Sequence, residues 1–337
     1  MKKLLSLILI LSLIVLSTVS CDLLAKYLEK DTETTPIKIA YMTGPTGMGI
    51  AKLIHDNGGV EGNDKYQFIK YTDASLATAD LNAGKVDMAC IPTNTAATLY
   101  NKTKNVKAVA INCLNSLFIM TKTGVEINTL SDLEGKTIYT IKNGTPAVIL
   151  EHLLSESNIN ATVKTTSENG NVIAAPTDLA PLLISGAIDI ALVPEPVATA
   201  APLKIASQNK EYTYKVAINL TEAWSTISSS PVAMGCIVAN KNFIEENKDK
   251  MDDFRSEYKQ SIEYISNLEN IDISAQYIVD AGVLDAVPAA KKSLMNLGNA
   301  ITYIDTAYMK TVLVDFYNAI GVNLIGGKLP DDEFYYE

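Results

Sequence analysis

Short apolar runs alternate with glycine- and proline-bearing loops through most of this chain, and the spacing switches to a helical period near its end. Ile37 to Met42 and Lys136 to Ile141 read as strands. The first leads into Thr43-Gly-Pro-Thr-Gly47-Met-Gly49 and a helix predicted over Ile50 to Asn57. The second leads into Lys142-Asn-Gly144-Thr145-Pro146 and a helix over Ala147 to Ser157. Val106 to Ile111, Leu117 to Thr121, Tyr214 to Asn219 and Val232 to Ala239 are strand-like as well. From Phe243 onward Ile244, Met251, Phe254, Tyr258, Ile262 and Ile265 recur at helical spacing with charges between them. Later helices are expected over Ser274–Ala281, Ala289–Leu297 and Thr306–Ile320.

The pattern contains an internal repeat. Leu81-Asn-Ala-Gly84-Lys-Val-Asp87-Met-Ala89-Cys-Ile-Pro92-Thr-Asn-Thr-Ala96 matches Leu183-Ile-Ser-Gly186-Ala-Ile-Asp189-Ile-Ala191-Leu-Val-Pro194-Glu-Pro-Val-Ala198 at an offset of 102 residues. In each copy a helix should end at the glycine, which readily takes the left-handed conformation. The apolar run after it reads as a buried parallel strand. The proline, lacking an N–H, stops that strand. The aspartate before the strand reads as a structural turn residue rather than a catalytic one. With the glycine loops upstream, the order strand, glycine loop, helix, helix, strand, proline loop occurs twice. Such alternation predicts an α/β fold with parallel-rich sheets in two similar lobes.

Two segments are candidate crossovers between the lobes. One carries Asn112, Asn115 and Ser116; the other runs from Leu220 to Pro231 and holds Trp224, the only tryptophan. Trp224 is either a core or hinge packing residue or part of a ligand wall. The tail should pack on lobe one rather than form a third domain. Asp331-Asp332-Glu333 reads as a solvated charge run.

The N-terminus has a separate logic. Lys2 and Lys3 precede an apolar run from Leu4 to Leu16 and then Ser17, Thr18, Val19, Ser20 and Cys21. This is the layout of a secretory signal over residues 1–20. The apolar run is shorter than the roughly 20 residues a spanning helix needs. The ending resembles a bacterial lipobox, with Thr18 where leucine is usual, and implies cleavage before Cys21 and lipidation of its sulfur. Residues 21–35 then serve as lipid anchor and tether.

Charge narrows the function further. The formal net charge is −10, and loss of residues 1–20 would take away two lysines and no acid, leaving −12. Arg255 is the only arginine, so nucleic acid is not an expected partner. His55 and His152 lie far apart and there is no C-x-x-C pair, so neither a metal nor a cofactor is expected. Cys90, Cys113 and Cys236 read as buried thiols, with one disulfide among them as the alternative. The first glycine loop is not a P-loop, because the terminal Lys-Ser/Thr pair is missing, and it does not fit G-x-G-x-x-G. It is a strand-to-helix turn, either plain or able to hold a polar ligand.

Together the lipobox-like start, Met42–Gly49, Gly84-Lys-Val-Asp87 with Pro92-Thr-Asn94, Pro194-Glu-Pro196 and the ending Gly326-Gly-Lys-Leu-Pro-Asp-Asp-Glu-Phe-Tyr335 resemble the nitrate/sulfonate/taurine-type solute-binding proteins of ABC importers. That group also includes binders of thiamine-pyrimidine precursors. The resemblance implies a type II periplasmic-binding-protein-like fold with two hinge crossovers, lobe one over 36–114 plus 236–337 and lobe two over 115–235. It implies capture of a small polar molecule between the lobes for delivery to permease subunits, by a monomer held outside the cytoplasm through lipid on Cys21. The implied ligand residues are Thr43, Gly44, Thr46, Gly47, Thr93 and Asn94 from lobe one and Asn143, Gly144, Thr145 and Glu195 from lobe two, with Asn115 and Ser116 at the crossover. No catalytic residue is implied. Alternatives are an enzyme on the same fold, of pyrimidine-synthesis or menaquinone-pathway type, and a surface sensor or adhesin. These loops lack the guanidinium fork that clamps oxyanions, so a nitrogen-bearing ligand is favoured over a small organic anion. Glu195 would either accept from such a ligand or face water at the rim.

Overall fold

Alternation along β1 (Ile37–Met42) sets the layers of the first half. Ile37, Ile39 and Tyr41 turn to one face and Ala40 and Met42 to the other, and all are buried. A strand apolar on both faces must be covered on both. The computed structural model describes residues 35–142 and 145–337. The signal expected over 1–20, Cys21 and nearly all of the tether lie outside the described residues, as do Asn143 and Gly144.

The strands that follow are β2 (Tyr66–Tyr71), β3 (Met88–Pro92), β4 (Val106–Leu114), β5 (Leu117–Lys122), β6 (Thr137–Tyr139), β7 (Thr162–Lys164), β8 (Ile190–Pro194), β9 (Tyr214–Asn219), β10 (Ala233–Asn240) and β11 (Ile301–Ile304). One sheet has the order β2–β1–β3–β10–β4–β11 and the other β7–β6–β8–β5–β9. Within the first, β1 runs parallel to β2 and β3, while β10 runs antiparallel to β3 and β4. Within the second, β6 runs parallel to β7 and β8, while β5 runs antiparallel to β8 and β9. The two sheets share one plan. A parallel triplet is followed by an antiparallel strand that has just arrived from the other sheet: β10 enters the first, β5 the second. The repeat seen in the sequence is therefore a repeat of topology.

Gly84 and Gly186, the two glycines of the repeat, take φ of 69° and 72°, the left-handed values at which a helix ends without a Cβ penalty. Each follows a helix, Ala74–Asn82 or Pro176–Ile184. Asp87 accepts a hydrogen bond from the Lys38 N–H at 2.8 Å, which is the structural role expected of it.

Three apolar clusters hold the layers together. One packs Ile37, Ile39 and Tyr41 against the helices Lys248–Ser266, Ile271–Asp280 and Val287–Leu297. Another packs Phe118, Met120, Ala191 and Val193 against Pro176–Ile184 and Val197–Ser207. The third is continuous from Ala40 and Met42 of the first sheet to Ile119, Ile138 and Leu192 of the second. Helix Thr306–Ile320, predicted with these bounds, contributes Met309, Leu313 and Phe316 to it.

Several boundaries differ from expectation. The glycine loop contains a one-turn helix, Pro45–Met48. β4 runs on through Leu114, so Asn112 belongs to a strand and not to a crossover. The edge strands β2, β7 and β11 were not anticipated, because short or polar edge strands carry little apolar signal. Asp331, Asp332 and Glu333 form surface ion pairs with Lys104, Lys310 and Lys107 respectively while their side chains stay largely exposed, so the acidic run is solvated as expected. No helix among the described residues is long and apolar enough to cross a membrane.

Candidate functional site

Ligands of open α/β sheets bind beyond the carboxyl ends of the strands. Here the loops at those ends meet across the two sheets. Gly44 follows β1, and a Cβ built on it would stand 3.6 Å from Pro196 Cδ and 3.9 Å from the Glu195 carbonyl oxygen, in the loop after β8. Gly44 also has φ +87°, which an L side chain rarely adopts. Gly47 is closer still to its surroundings: a Cβ there would lie 1.8 Å from Met42 O. The first loop is thus built for close backbone approach.

The other expected residues of the first half divide by environment. Thr43 is exposed, and its N–H donates to Tyr71 O at 3.2 Å. Thr46 accepts through its carbonyl from Asn112 Nδ2 at 3.1 Å. Thr93 is buried and spends its hydroxyl on Ala233 O at 2.5 Å, while its carbonyl accepts from Tyr317 OH at 2.9 Å. Asn94, half-buried, opens the same helix, Thr93–Thr103, and its Oδ1 is a buried acceptor with no partner among the described residues.

Glu195 is 1% exposed, so it does not face water at a rim. Its Oε1 accepts from Thr199 Oγ1 at 2.9 Å and Asn296 Nδ2 at 2.8 Å, and Oε2 accepts from Ser293 Oγ at 3.1 Å. Burial pushes its carboxyl pKa up, against the bonds from Asn296, Thr199 and Ser293, which pull it down. Thr145 begins the helix Thr145–Glu156 and is buried. Asn143 and Gly144, just before it, lie outside the described residues.

Asn115 and Ser116 serve the crossovers. Asn115 takes φ +37°, donates its N–H to Val232 O at 3.0 Å and accepts from the Val232 N–H through Oδ1 at 3.0 Å. This pair of bonds ties the outgoing connection to the returning one. The Ser116 carbonyl accepts from the Glu195 N–H at 3.0 Å. Trp224 is 2% exposed, donates Nε1–H to Ser230 O at 2.9 Å and packs near His152 and Phe316. It is a packing residue of the return segment.

Sequence reasoning missed Asn112, Gly235, Tyr258, Ser293 and Asn296. Asn112 carried a usable signal, an amide inside an apolar run. Ser293 and Asn296 carried none, since they act on Glu195 from the far end of the chain. Cys90, Cys113 and Cys236 are free and buried. Among the described residues no three His, Cys, Asp or Glu side chains gather as metal ligands would.

Comparison with known proteins places the fold. A family model described as NMT1/THI5 like matches residues 61–268. No curated protein matches the chain by sequence. Among solved structures, the chain is similar to an ABC transporter protein from Parabacteroides distasonis, at TM-score 0.72 and 18% identity over 90% of this chain and 99% of that one. It is similar to the periplasmic aliphatic sulphonate-binding protein of Escherichia coli, at TM-score 0.68 and 14% identity over 90% and 92%. The periplasmic nitrate-binding protein of Synechocystis is a third, at TM-score 0.57 and 14% identity over 82% and 75%. The shared fold is that of type II periplasmic binding proteins.

Proposed function

The chain belongs to the NMT1/THI5-like family, and on that premise we propose that it is the solute-binding component of an ABC-type importer, working outside the cytoplasm. Each sheet with its covering helices acts as a lobe, divided as 36–114 plus 236–337 against 115–235. A small polar molecule is captured where the loops after β1, β3 and β8 converge, and the loaded protein is read by permease subunits. Cleavage before Cys21 and lipid on its sulfur keep it at the membrane, with residues 22–35 as the tether.

The observation that carries this reading is the meeting of Gly44 with Pro196 and Glu195, from loops at the carboxyl ends of different sheets. Such a junction is where a two-lobed protein couples ligand contact to hinge motion. The tie between Asn115 and Val232 supports it, because both crossovers then move as one element.

The test is mass spectrometry of small molecules released when the purified, folded protein is denatured. A stoichiometric polar solute is expected. Release of none, with no thermal shift from a library of polar metabolites, would overturn the reading. Labelling with palmitate tests the anchor separately, and a Cys21→Ser chain that still takes up lipid would refute it.

A further inference from the structure

Two of the three apolar clusters stop short of each other. The one on the first sheet takes Ala290, Leu294 and Leu297 of the helix Val287–Leu297. The one on the second sheet takes Val197, Ala198, Ala201 and Ile205 of the helix Val197–Ser207. These two helices touch, yet their clusters stay separate. The third cluster covers the other face of each sheet and is shared. It crosses from sheet to sheet through Trp224 and Phe316, whose rings meet edge-on at 6.5 Å. The lobes proposed above therefore have a common apolar core on one side and only a helix-to-helix seam on the other.

What crosses that seam is polar. Glu195 stands just ahead of Val197–Ser207, and Thr199 lies in the first turn of that helix. Ser293 and Asn296 sit one turn apart on Val287–Leu297. Ser293 is the polar member of a buried face otherwise made of Ala290, Leu294 and Leu297. Its hydroxyl donates to Glu195 Oε2 at 3.1 Å. Asn296 Nδ2 donates to Glu195 Oε1 at 2.8 Å and to Thr199 Oγ1 at 2.9 Å. All three bonds run from one lobe to the other.

A seam of this kind parts more readily than an apolar one. Apolar surfaces that separate lose their burial, whereas these donors and the carboxylate exchange one another for water. The three side-chain partners of Glu195 are neutral, so closure takes the carboxylate out of water with no cation among them to offset its desolvation. On opening it regains water and keeps Thr199, which moves with it. Asn296 is only half-buried, so water reaches the rim of the seam. Opposed terms of this kind leave the closed and open arrangements near in free energy, as a shifting equilibrium requires. Both oxygens of Glu195 are already engaged and the residue is 1% exposed, which leaves it poorly placed to touch a solute.

We propose that Glu195, Thr199, Ser293 and Asn296 form a latch that closes the lobes along this seam, with the shared core as the hinge side, and that Glu195 serves the latch and not solute contact. The proposal rests on the solute-binding reading above. Ser293 and Asn296 are positioning residues. They act on capture by setting what fraction of the protein is closed, without touching the solute.

Pulsed electron-spin distance measurement tests it. Spin labels are placed on Leu203→Cys and Ile273→Cys, exposed positions outside the latch, in the protein carrying Cys21→Ser. Cys90, Cys113 and Cys236 are buried and stay unlabelled. The protein is refolded and dialysed to strip any bound molecule. With the latch intact, the closed, shorter distance is expected to dominate. Ser293→Ala and Asn296→Ala should each raise the ratio of open to closed about tenfold, the worth of one hydrogen bond. Asn296→Asp, of the same shape but with an acid set against Glu195, should raise it further. If the variants at 296 do not fold, Ser293→Ala decides. Distance distributions that coincide with and without the latch residues would overturn the proposal. Small molecules recovered from the denatured protein, added back, should return Ser293→Ala to the shorter distance. A variant that takes them up and stays open would overturn the link between latch and capture. Recovery of no solute, with no thermal shift from polar metabolites, would overturn the solute-binding reading, while the distances judge the latch independently.

Discussion

The Asn296 amide donates to Glu195 Oε1 at 2.8 Å and so joins the loop after β8 to the helix Val287–Leu297, which packs with the first sheet. Ser293, one turn earlier on that helix, holds the other carboxylate oxygen. Glu195 is therefore a buried clasp between elements far apart in the chain.

Removing one donor should show what the clasp contributes. Asn296→Ala is expected to cost about 1–3 kcal/mol, because a buried carboxylate loses a partner. Urea denaturation measures it. A variant as stable as wild type would mean that Glu195 draws nothing from the contact.

The same carboxylate predicts a pH dependence. Burial raises the Glu195 pKa above its ordinary 4.5. The folded state therefore binds this proton more tightly than the unfolded state does. Its contribution is complete below about 4.5 and is lost as the pH rises through the raised value. Glu195→Gln has no proton to lose. Its stability relative to wild type should grow as the pH is raised above 4.5, and parallel stability curves would contradict this.

Asn115 offers a backbone test. Its φ of +37° is costly for an L residue other than asparagine, and its Oδ1 answers the Val232 N–H. Asn115→Ala should destabilise by about 1–3 kcal/mol. Asn115→Gly, free of the φ penalty, should lose about 1 kcal/mol less. Thermal denaturation of both variants distinguishes these outcomes, and equal losses would show that φ plays no part.

The cysteines should be silent in the native protein. Burial pushes the Cys90 and Cys113 thiols up to about 12, and that of Cys236 up as well. Iodoacetamide at mildly alkaline pH should label none of them until urea is added, and then all of them. Two that stayed unlabelled in urea without reductant would reveal a disulfide.

Much of the architecture was legible because the repeat is local. Leu81 to Ala96 and Leu183 to Ala198 carry their own helix stop, strand and proline stop, and β3 and β8 appear where those signals put them. The C-terminal helix Thr306–Ile320 was legible for the same reason, a long unbroken period. The site was less so. Gly44 and Gly47 could be picked out as loop glycines, but the duty of Glu195 depends on Ser293 and Asn296, 98 and 101 residues away. Gly235 looks in sequence like a weak point of a strand. Only the approach of Asn112 and Thr46 gives it meaning.

Thr93 and Glu195 occupy the same position of the repeat, each directly after the proline that ends its strand. Thr93 turns its hydroxyl inward to Ala233 of the neighbouring strand, whereas Glu195 reaches a helix of the C-terminal tail. A carboxylate buried at this position without Ser293 and Asn296 would lack two of its three side-chain donors. The two halves of the repeat are therefore not interchangeable: an acid fits the position after the proline only in the half that Ser293 and Asn296 reach.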